Sequence, residues 1–267
     1  MKLYLNILFI ISLLFISCNN SSSNQKNTDN SLEKVKERGK LVLGLDDTFA
    51  PMGFRSTNGE IVGFDIDLAK EVAARIGVEL EVTPIDWSSA ILALNKGDVD
   101  VLWNGLTINE SRKRQINFSK PYIKNKLVLV KLASRDDLNT KEDFRGKVIG
   151  VQVGSNAETL DKDEIGSIAK EVRKYDVNVN AFLDLSAKRI DALAIDSIAC
   201  EYYINQKDND FQILDGIELN EEYYGIGFRK NDTVLLNEVD RILDDMRADG
   251  SAAKISEKWF GSDIMVK

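Results

Sequence analysis

Two short segments of the chain combine a glycine, a hydroxyl residue and, three positions after the hydroxyl, a glutamate. They are residues 104–110 (NGLTINE) and 153–158 (VGSNAE). A Ser/Thr-x-x-Glu spacing is typical of a capping box, and the helix start behind it favours an anion through its free N–H groups. Arg112 follows the first segment, and a guanidinium grips a carboxylate through two parallel hydrogen bonds. The pattern indicates a carboxylate-binding site, although a capping box can also simply cap its helix.

Each of these segments follows an apolar run that predicts a buried strand. Strands are predicted at residues 40–45, 79–82, 99–103, 127–131, 147–152 and 190–195. Helical spacing of apolar residues predicts helices at residues 65–76, 88–96 and 180–188, and between Asp232 and Gly250. Alternating strands and helices indicate an α/β fold with a mainly parallel sheet. The pattern restarts after about residue 124, which indicates two similar lobes, and ligands of such sheets bind beyond the carboxyl ends of the strands.

The composition excludes several classes of function. The 267 residues contain no histidine, which removes His-dependent triads and His-ligated metal sites. Two cysteines are too few for a disulfide framework or a Cys-rich zinc site. The net charge of −8 makes nucleic-acid binding improbable, because such proteins need positive charge. We predict no catalytic residue, no metal and no cofactor.

The first residues predict export and anchoring. Residues 1–17 begin with Met1-Lys2 and continue as an apolar run of signal-peptide length. Cys18 follows Ser17, which resembles a bacterial lipobox and implies diacylglyceryl attachment to Cys18. Residues 18–31 are polar and predict a flexible tether. The alternative is an ordinary signal peptide followed by a chance cysteine. The second cysteine, Cys200, lies in an apolar stretch and predicts a core position.

Longer segments resemble the polar amino-acid family of extracytoplasmic solute-binding proteins. The resemblance runs from about residue 33 to 260 and is strongest in residues 41–54 (LVLGLDDTFAPMGF), 59–71 (GEIVGFDIDLAKE) and 103–112 (WNGLTINESR). It implies two similar α/β lobes joined by a two-strand hinge, as in type II periplasmic binding proteins. Lobe 1 would comprise residues 32–123 plus 218–267, and lobe 2 residues 124–217. Members of this family feed ABC importers.

The resemblance also implies a ligand site for a zwitterion. Arg112 matches the arginine that holds the α-carboxylate, and Asp196 matches the carboxylate that pairs with the α-ammonium. Phe49 and Trp87 match residues that sandwich the ligand side chain. The implied ligand-binding residues are Asp46, Phe49, Trp87, Asn104, Gly105, Thr107, Arg112, Gln152, Gly154, Ser155 and Asp196.

Two departures from the family pattern bear on this site. Asn156 stands where many relatives carry threonine, and Asn104 stands where a small hydroxyl residue is common.

Asp46 would be left without an obvious cation nearby in sequence, and an unpartnered buried carboxylate is costly. A distal cation on the ligand would satisfy it. We therefore predict a basic amino acid, namely arginine, lysine or ornithine, with glutamine as the second choice.

The resulting functional prediction is a receptor and not an enzyme. The chain would be a monomer, lipid-anchored on the outer side of the cytoplasmic membrane in a periplasm or at a cell surface, and would deliver its amino acid to the membrane subunits of an ABC importer. The alternative is a secreted cyclohexadienyl dehydratase-like enzyme, which would need a general acid in the cleft. A sensor module is disfavoured because no second apolar span precedes Lys267.

Overall fold

A computed structural model describes residues 29–162, 164–206, 210–217 and 219–266 of the chain. The predicted signal peptide and Cys18 lie outside these residues. The helices, numbered α1 to α9 in chain order, are Ser31–Arg38, Phe64–Ile76, Ala90–Lys96, Glu110–Gln115, Glu164–Ile168, Asn178–Ser186, Ser197–Gln206, Thr233–Ala248 and Ser251–Phe260. Three further segments are 3₁₀ helices: Trp87–Ser89, Lys141–Phe144 and Asn156–Lys162.

The strands form two main sheets and a small third one. Numbered β1 to β14 in chain order, they are Lys40–Leu45, Thr48–Phe49, Gly53–Arg55, Ile61–Val62, Glu79–Pro84, Val101–Leu102, Asn117–Phe118, Ile123–Leu132, Val148–Gln152, Glu171–Tyr175, Ala192–Asp196, Phe211–Ile213, Glu221–Tyr224 and Gly227–Phe228. The chain is therefore a mixed α/β protein with two lobes, as its sequence predicts.

The first main sheet has the strand order β5-β1-β6-β14-β7. Strand β1 is parallel to both β5 and β6, whereas β14 is antiparallel to β6 and β7. Helices α8 and α9 from the end of the chain pack against each other and against α2 near its beginning. Their apolar faces, with Leu235, Val239 and Ile242 fully buried, share one core with Leu41 and Leu43 of β1.

The second main sheet has the order β10-β9-β11-β8-β12. Strand β9 is parallel to β10 and β11, and β8 is antiparallel to β11 and β12. Because β9 and β11 run in the same direction, their carboxyl ends reach the same edge of this sheet, as those of β1 and β6 do in the first sheet.

Two antiparallel strands connect the sheets. Strand β8 is ten residues long, and its first residues pair with β13, so that Ile123 lies opposite Tyr224 and Asn125 opposite Glu222. Farther along, β8 enters the second sheet and pairs with β11. The pair formed by β8 and β13 is the two-strand hinge.

Several predicted boundaries differ from those in the structure. The predicted strand at residues 99–103 is regular only over β6, although the N–H of Asp100 still donates to the carbonyl of Val42 at 2.8 Å. The predicted helix at residues 88–96 begins as a 3₁₀ turn and becomes α-helical at Ala90. Helix α9 follows a left-handed Gly250 and was not predicted, because its apolar spacing is separated from that of α8 only by this short turn.

The start of α8 is capped by a residue from elsewhere in the chain. Asp232 precedes this helix as predicted, but its carboxylate pairs with Arg229 at 2.6 Å and makes no capping hydrogen bond. Asp29 supplies the acceptor and receives the N–H of Val234 at 2.6 Å and the hydroxyl of Thr233 at 2.8 Å. Residues 29–31, which the sequence assigns to the tether, are thus held on the folded body.

In the parts of the chain that the structure describes, no helix is both long and apolar enough to cross a membrane.

Candidate functional site

Polar residues at the carboxyl ends of four parallel strands meet at one cavity. Asp46 follows β1, Asn104 follows β6, and Gln152 and Asp196 end β9 and β11. The cavity is small and leaves about 10 Å³ in which the centre of a water-sized sphere can lie. Strand direction in the two sheets therefore brings together side chains that are up to 150 positions apart in sequence, and the site lies between the lobes.

The structure brings the predicted ligand-binding residues together. The cavity is lined by Asp46, Phe49, Trp87, Asn104, Gly105, Thr107, Arg112, Gln152, Ser155, Asn156 and Asp196. Gly154 is the predicted residue outside this lining, and its carbonyl oxygen accepts a hydrogen bond from Arg112 at 2.7 Å. The contacts of these residues with a ligand stay predictions.

Arg112 spans the two glycine turns for which the sequence predicts a carboxylate-binding site. Its Nη1 donates to the carbonyl of Thr107 at 2.8 Å, and its Nη2 donates to the carbonyl of Gly154, which belongs to the other lobe. Burial lowers the pKa of Arg112, while the negative charges of Asp196 and Glu222 act in the opposite direction. These contacts hold a buried cation at the boundary between the lobes.

Neither glycine turn ends in the predicted capping box. Helix α4 is capped by Asn109, whose side chain accepts the N–H of Arg112 at 2.8 Å. The hydroxyl of Thr107 instead donates to Glu222 at 2.8 Å. In the second turn the hydroxyl of Ser155 donates to the carbonyl of Gln152, and a 3₁₀ helix follows. Both hydroxyl groups therefore donate to groups other than those of a capping box, and both residues line the cavity.

Asp196 is a buried carboxylate held by two neutral donors. The amide Nδ2 of Asn125 donates to its Oδ1 at 2.6 Å, and the hydroxyl of Tyr224 donates to the same oxygen at 2.8 Å. Burial, together with the nearby carboxylate of Glu222, raises the pKa of Asp196 to about 7. The charge of Arg112 opposes this rise. Asp196 is therefore poised to ionise when a cationic group enters the cavity.

Asp46 has more partners than the sequence suggests. Its Oδ1 accepts hydrogen bonds from the N–H and the hydroxyl of Thr48 at 2.9 and 2.7 Å. Its Oδ2 accepts from Nε2 of Gln152 at 2.7 Å, and Asn178 holds the oxygen of that amide at 2.8 Å. Neutral donors from a local turn and from the other lobe therefore hydrogen-bond a carboxylate that the sequence left without a partner, and none of these donors is a cation.

Two glycines allow close approach at the site. Gly105 has φ +60°, and a Cβ there would lie 2.8 Å from Cε1 of Phe49. Gly154 has φ +74°, and a Cβ there would lie 2.8 Å from Cα of Ser88. A side chain at either position would displace an aromatic wall or separate the two lobes.

Three residues near the site were given no role from the sequence, namely Asn156, Glu222 and Asn125. Asn156 lines the cavity, and its Nδ2 donates to Glu222. Glu222 and Asn125 lie opposite each other on the hinge strands, and both are buried. The one sequence signal is that Glu222 alternates with Tyr224 on the buried side of β13, a pattern shared by many ordinary strands.

Asp65 is hydrogen-bonded to the glycine turn of the first lobe. It is fully buried in α2, and its Oδ2 accepts the N–H of Gly105 at 2.8 Å and the hydroxyl of Tyr122 at 2.9 Å. Burial raises the pKa of Asp65 to about 7, against the opposing effect of these hydrogen bonds. The native state therefore binds this proton more tightly than the unfolded chain does.

Replacing Asp65 by asparagine is expected to flatten the dependence of stability on pH. The stabilisation from the raised pKa is complete below about pH 4 and is lost as the pH rises to about 7. Between these values the free energy of unfolding of the wild type should fall by about 1 to 3 kcal/mol more than that of Asp65→Asn. Urea unfolding at several pH values measures this difference. Asp67→Asn, on the same helix, is the control, and equal slopes for all three proteins would contradict the prediction.

The family of the chain follows from its sequence as a whole. The model of bacterial extracellular solute-binding proteins, family 3, matches residues 41–262. The chain belongs to this family. The L-cystine-binding protein TcyJ of Escherichia coli K12 is 34% identical over 87% of each chain. The present chain is also 31% identical to the histidine-binding periplasmic protein of the same Escherichia coli strain, over 84% of the present chain and 88% of that relative.

Solved structures agree with this family assignment. An ABC uptake transporter substrate-binding protein from Streptococcus pneumoniae with bound histidine superimposes with a TM-score of 0.85 at 34% identity, covering 90% of this chain and all of the other. These family 3 relatives are binding proteins. Within residues 29–162, 164–206, 210–217 and 219–266, no group of three or more His, Cys, Asp or Glu side chains is arranged to hold a metal.

Proposed function

We propose that the chain is a lipid-anchored extracytoplasmic receptor that binds a basic L-amino acid between its lobes and delivers it to an ABC importer. The observation that carries this proposal is the presence of Arg112 and Asp196, one from each lobe, in the lining of a single cavity. Arg112 would receive the α-carboxylate and Asp196 the α-ammonium. A ligand that bridges them binds the closed arrangement better than an open one and shifts the population toward closure. The closed form is what the importer would recognise.

The charge and the walls of the cavity support a basic ligand. Asp46 and Asp196 line it as acids, whereas Arg112 is its cation. Once the ligand backbone has paired with Arg112 and Asp196, negative charge is left at Asp46. Phe49 and Trp87 provide aromatic surface on which a guanidinium or an amide group can lie. Arginine, lysine and ornithine therefore rank first, and glutamine, an amide donor to Asp46, ranks second.

A ligand panel tests this ranking directly. Protein purified without denaturation is analysed by native mass spectrometry, which reveals any co-purified amino acid by its mass. Ligand-stripped protein is then titrated by calorimetry with arginine, lysine, ornithine, glutamine, histidine, cystine and glutamate. Tighter binding of glutamate than of arginine would contradict the ranking, and binding of no amino acid would overturn the proposed function.

Amino-acid affinity is expected to weaken as the pH falls from 8 to 6. Burial raises the pKa of Asp196 to about 7, so this carboxyl loses its negative charge over that interval and attracts an ammonium less strongly. We expect a decrease of about three- to tenfold, since one protonation changes affinity by at most tenfold per pH unit. Calorimetry at constant ionic strength measures it, and buffers of different ionisation enthalpy should reveal proton release on binding. Affinity that is constant across this range is incompatible with the assigned role of Asp196.

Anchoring and domain boundaries belong to the same proposal. Cys18 would carry the lipid, and residues 19–28 would connect it to the body at Asp29. Replacing Cys18 by alanine in expressing bacteria should move the protein from the membrane fraction to the soluble extracytoplasmic fraction.

Lobe 1 would comprise residues 32–123 plus 218–267, and lobe 2 residues 124–217. No covalent step is proposed, and incubation with a prephenate-like acid should leave its ultraviolet spectrum unchanged.

A further inference from the structure

Glu222 is a buried carboxylate on the hinge that contacts residues of both half-sites. It lies on β13 with 4% of its surface exposed. Its Oε2 accepts the hydroxyl of Thr107 at 2.8 Å from the first lobe, and its Oε1 accepts Nδ2 of Asn156 from the second. The amide of Asn125 on β8 adds a third donor to Oε2 at 3.3 Å. Three donors directed at two oxygens are the environment of an ionised carboxylate.

The charged and titratable groups around Glu222 come from three elements. Asp196 on β11 shares with it the amide Nδ2 of Asn125, which donates to both carboxylates. Arg112 on α4 is the cation that interacts with both acids, and Tyr224 on β13 donates its hydroxyl to Asp196. Among these groups, two acids face a single cation, and Asp46 adds a third acid at the cavity wall.

The excess of acids over cations around the cavity favours some ligand side chains over others. The α-carboxylate of a ligand would neutralise Arg112, and its α-ammonium would neutralise Asp196. The negative charges of Glu222 and Asp46 then act on the ligand side chain inside a buried site, where charges interact more strongly than in solution. A neutral side chain gains little from this field, an acidic one is repelled, and a cationic one is attracted.

We propose that Glu222 is a specificity-determining residue of the site, whose charge selects ligands with a positively charged side chain over neutral ones of similar size. The inference rests on the proposed function and deepens it, because it assigns part of the preference for basic amino acids to the hinge. Glu222 is not part of the cavity lining, so it acts through the field at the site and through Thr107 and Asn156.

The test compares selectivity in three variants by calorimetry with arginine and glutamine. In Glu222→Gln the ratio of glutamine to arginine dissociation constants should fall by about tenfold or more, because the charge is lost while the side-chain volume is kept. Glu222→Asp keeps the charge, so its ratio should stay near that of the wild type even if both affinities decrease. Glu221→Gln is the matched control: Glu221 precedes Glu222, its side chain is 68% exposed and pairs with Lys124 at 2.7 Å. Its ratio should not change.

Other outcomes separate this inference from the proposed function. If the ratio of the two dissociation constants is unchanged in Glu222→Gln, whether or not both ligands bind more weakly, Glu222 has only a structural role and the inference is overturned. A wild-type preference for arginine would in that case leave the proposed function intact. A wild-type protein that prefers neutral or acidic ligands overturns both the basic ligand class and the role of Glu222. Thermal unfolding of each ligand-free variant verifies that it is folded at the temperature of titration.

Discussion

Arg112→Ala is expected to lose nearly all amino-acid binding while the protein stays folded. In the proposed complex the guanidinium makes two charge-assisted hydrogen bonds to the ligand carboxylate, each contributing about 1.5 to 3 kcal/mol. Their loss should weaken affinity by about a thousandfold or more. The change also removes the hydrogen bonds from Arg112 to the carbonyls of Thr107 and Gly154, so part of the loss reflects a weaker connection between the lobes. Calorimetry on the stripped variant measures the affinity.

Two further variants make this result specific. Arg112→Lys keeps a positive charge without the planar pair of donors, and it should recover only a small part of the affinity. Arg114→Ala removes an exposed cation from the same helix, α4, and should bind as the wild type does. Near-normal affinity in Arg112→Ala, with an unchanged unfolding temperature, would overturn the assignment of the site.

Asp196→Asn is expected to weaken binding by about a hundredfold while leaving stability unchanged or higher at pH 8. The substitution keeps the shape of the side chain but removes the charge that would pair with the ligand ammonium, and losing one partner of a buried ion pair costs about 3 kcal/mol. Without ligand, the same charge is unfavourable, since burial and Glu222 raise the pKa of Asp196 to about 7. Binding and stability should therefore change in opposite directions.

The opposite signs are the diagnostic feature of this prediction. A merely structural Asp196 would lower stability and affinity together when it is replaced. Affinity of the variant should also lose most of its dependence on pH between 6 and 8, because the titrating group is absent. Glu201→Gln, an exposed change on helix α7 directly after β11, serves as the control and should leave both quantities unaltered. Unchanged arginine affinity in Asp196→Asn would remove the second pole of the proposed site.

In the proposed complex the ligand supplies a carboxylate to Arg112 from one lobe and an ammonium to Asp196 from the other. The amino acid that supplies both groups gains electrostatic energy only where the two lobes meet. This is why binding and closure are coupled in the proposed mechanism.

The class of the fold was readable from the sequence, and so were most of the residues that the structure brings together at the cavity. Apolar runs followed by glycine turns marked the carboxyl ends of β6 and β9, and the family motifs placed Arg112 and Asp196. These signals are local or carried by short motifs, because burial on both faces makes a parallel strand continuously apolar and a tight turn requires glycine. The same local signals misassigned Thr107 and Ser155 as helix caps. A hydroxyl group bonds whatever lies nearest in space, and its sequence neighbours do not determine that.

Only the tertiary structure decided which charges share the site and which donors satisfy them. The carboxylate of Asp46 accepts a hydrogen bond from Gln152, 106 residues away in sequence, and the hydroxyl of Thr107 donates to Glu222, 115 residues away. The amide of Asn125 donates to both Asp196 and Glu222. A single sequence contains the number of acids and bases but not the distances among them. Electrostatic energy and hydrogen bonding depend on those distances and on the exclusion of water, and both arise only when the lobes and the hinge strands pack together.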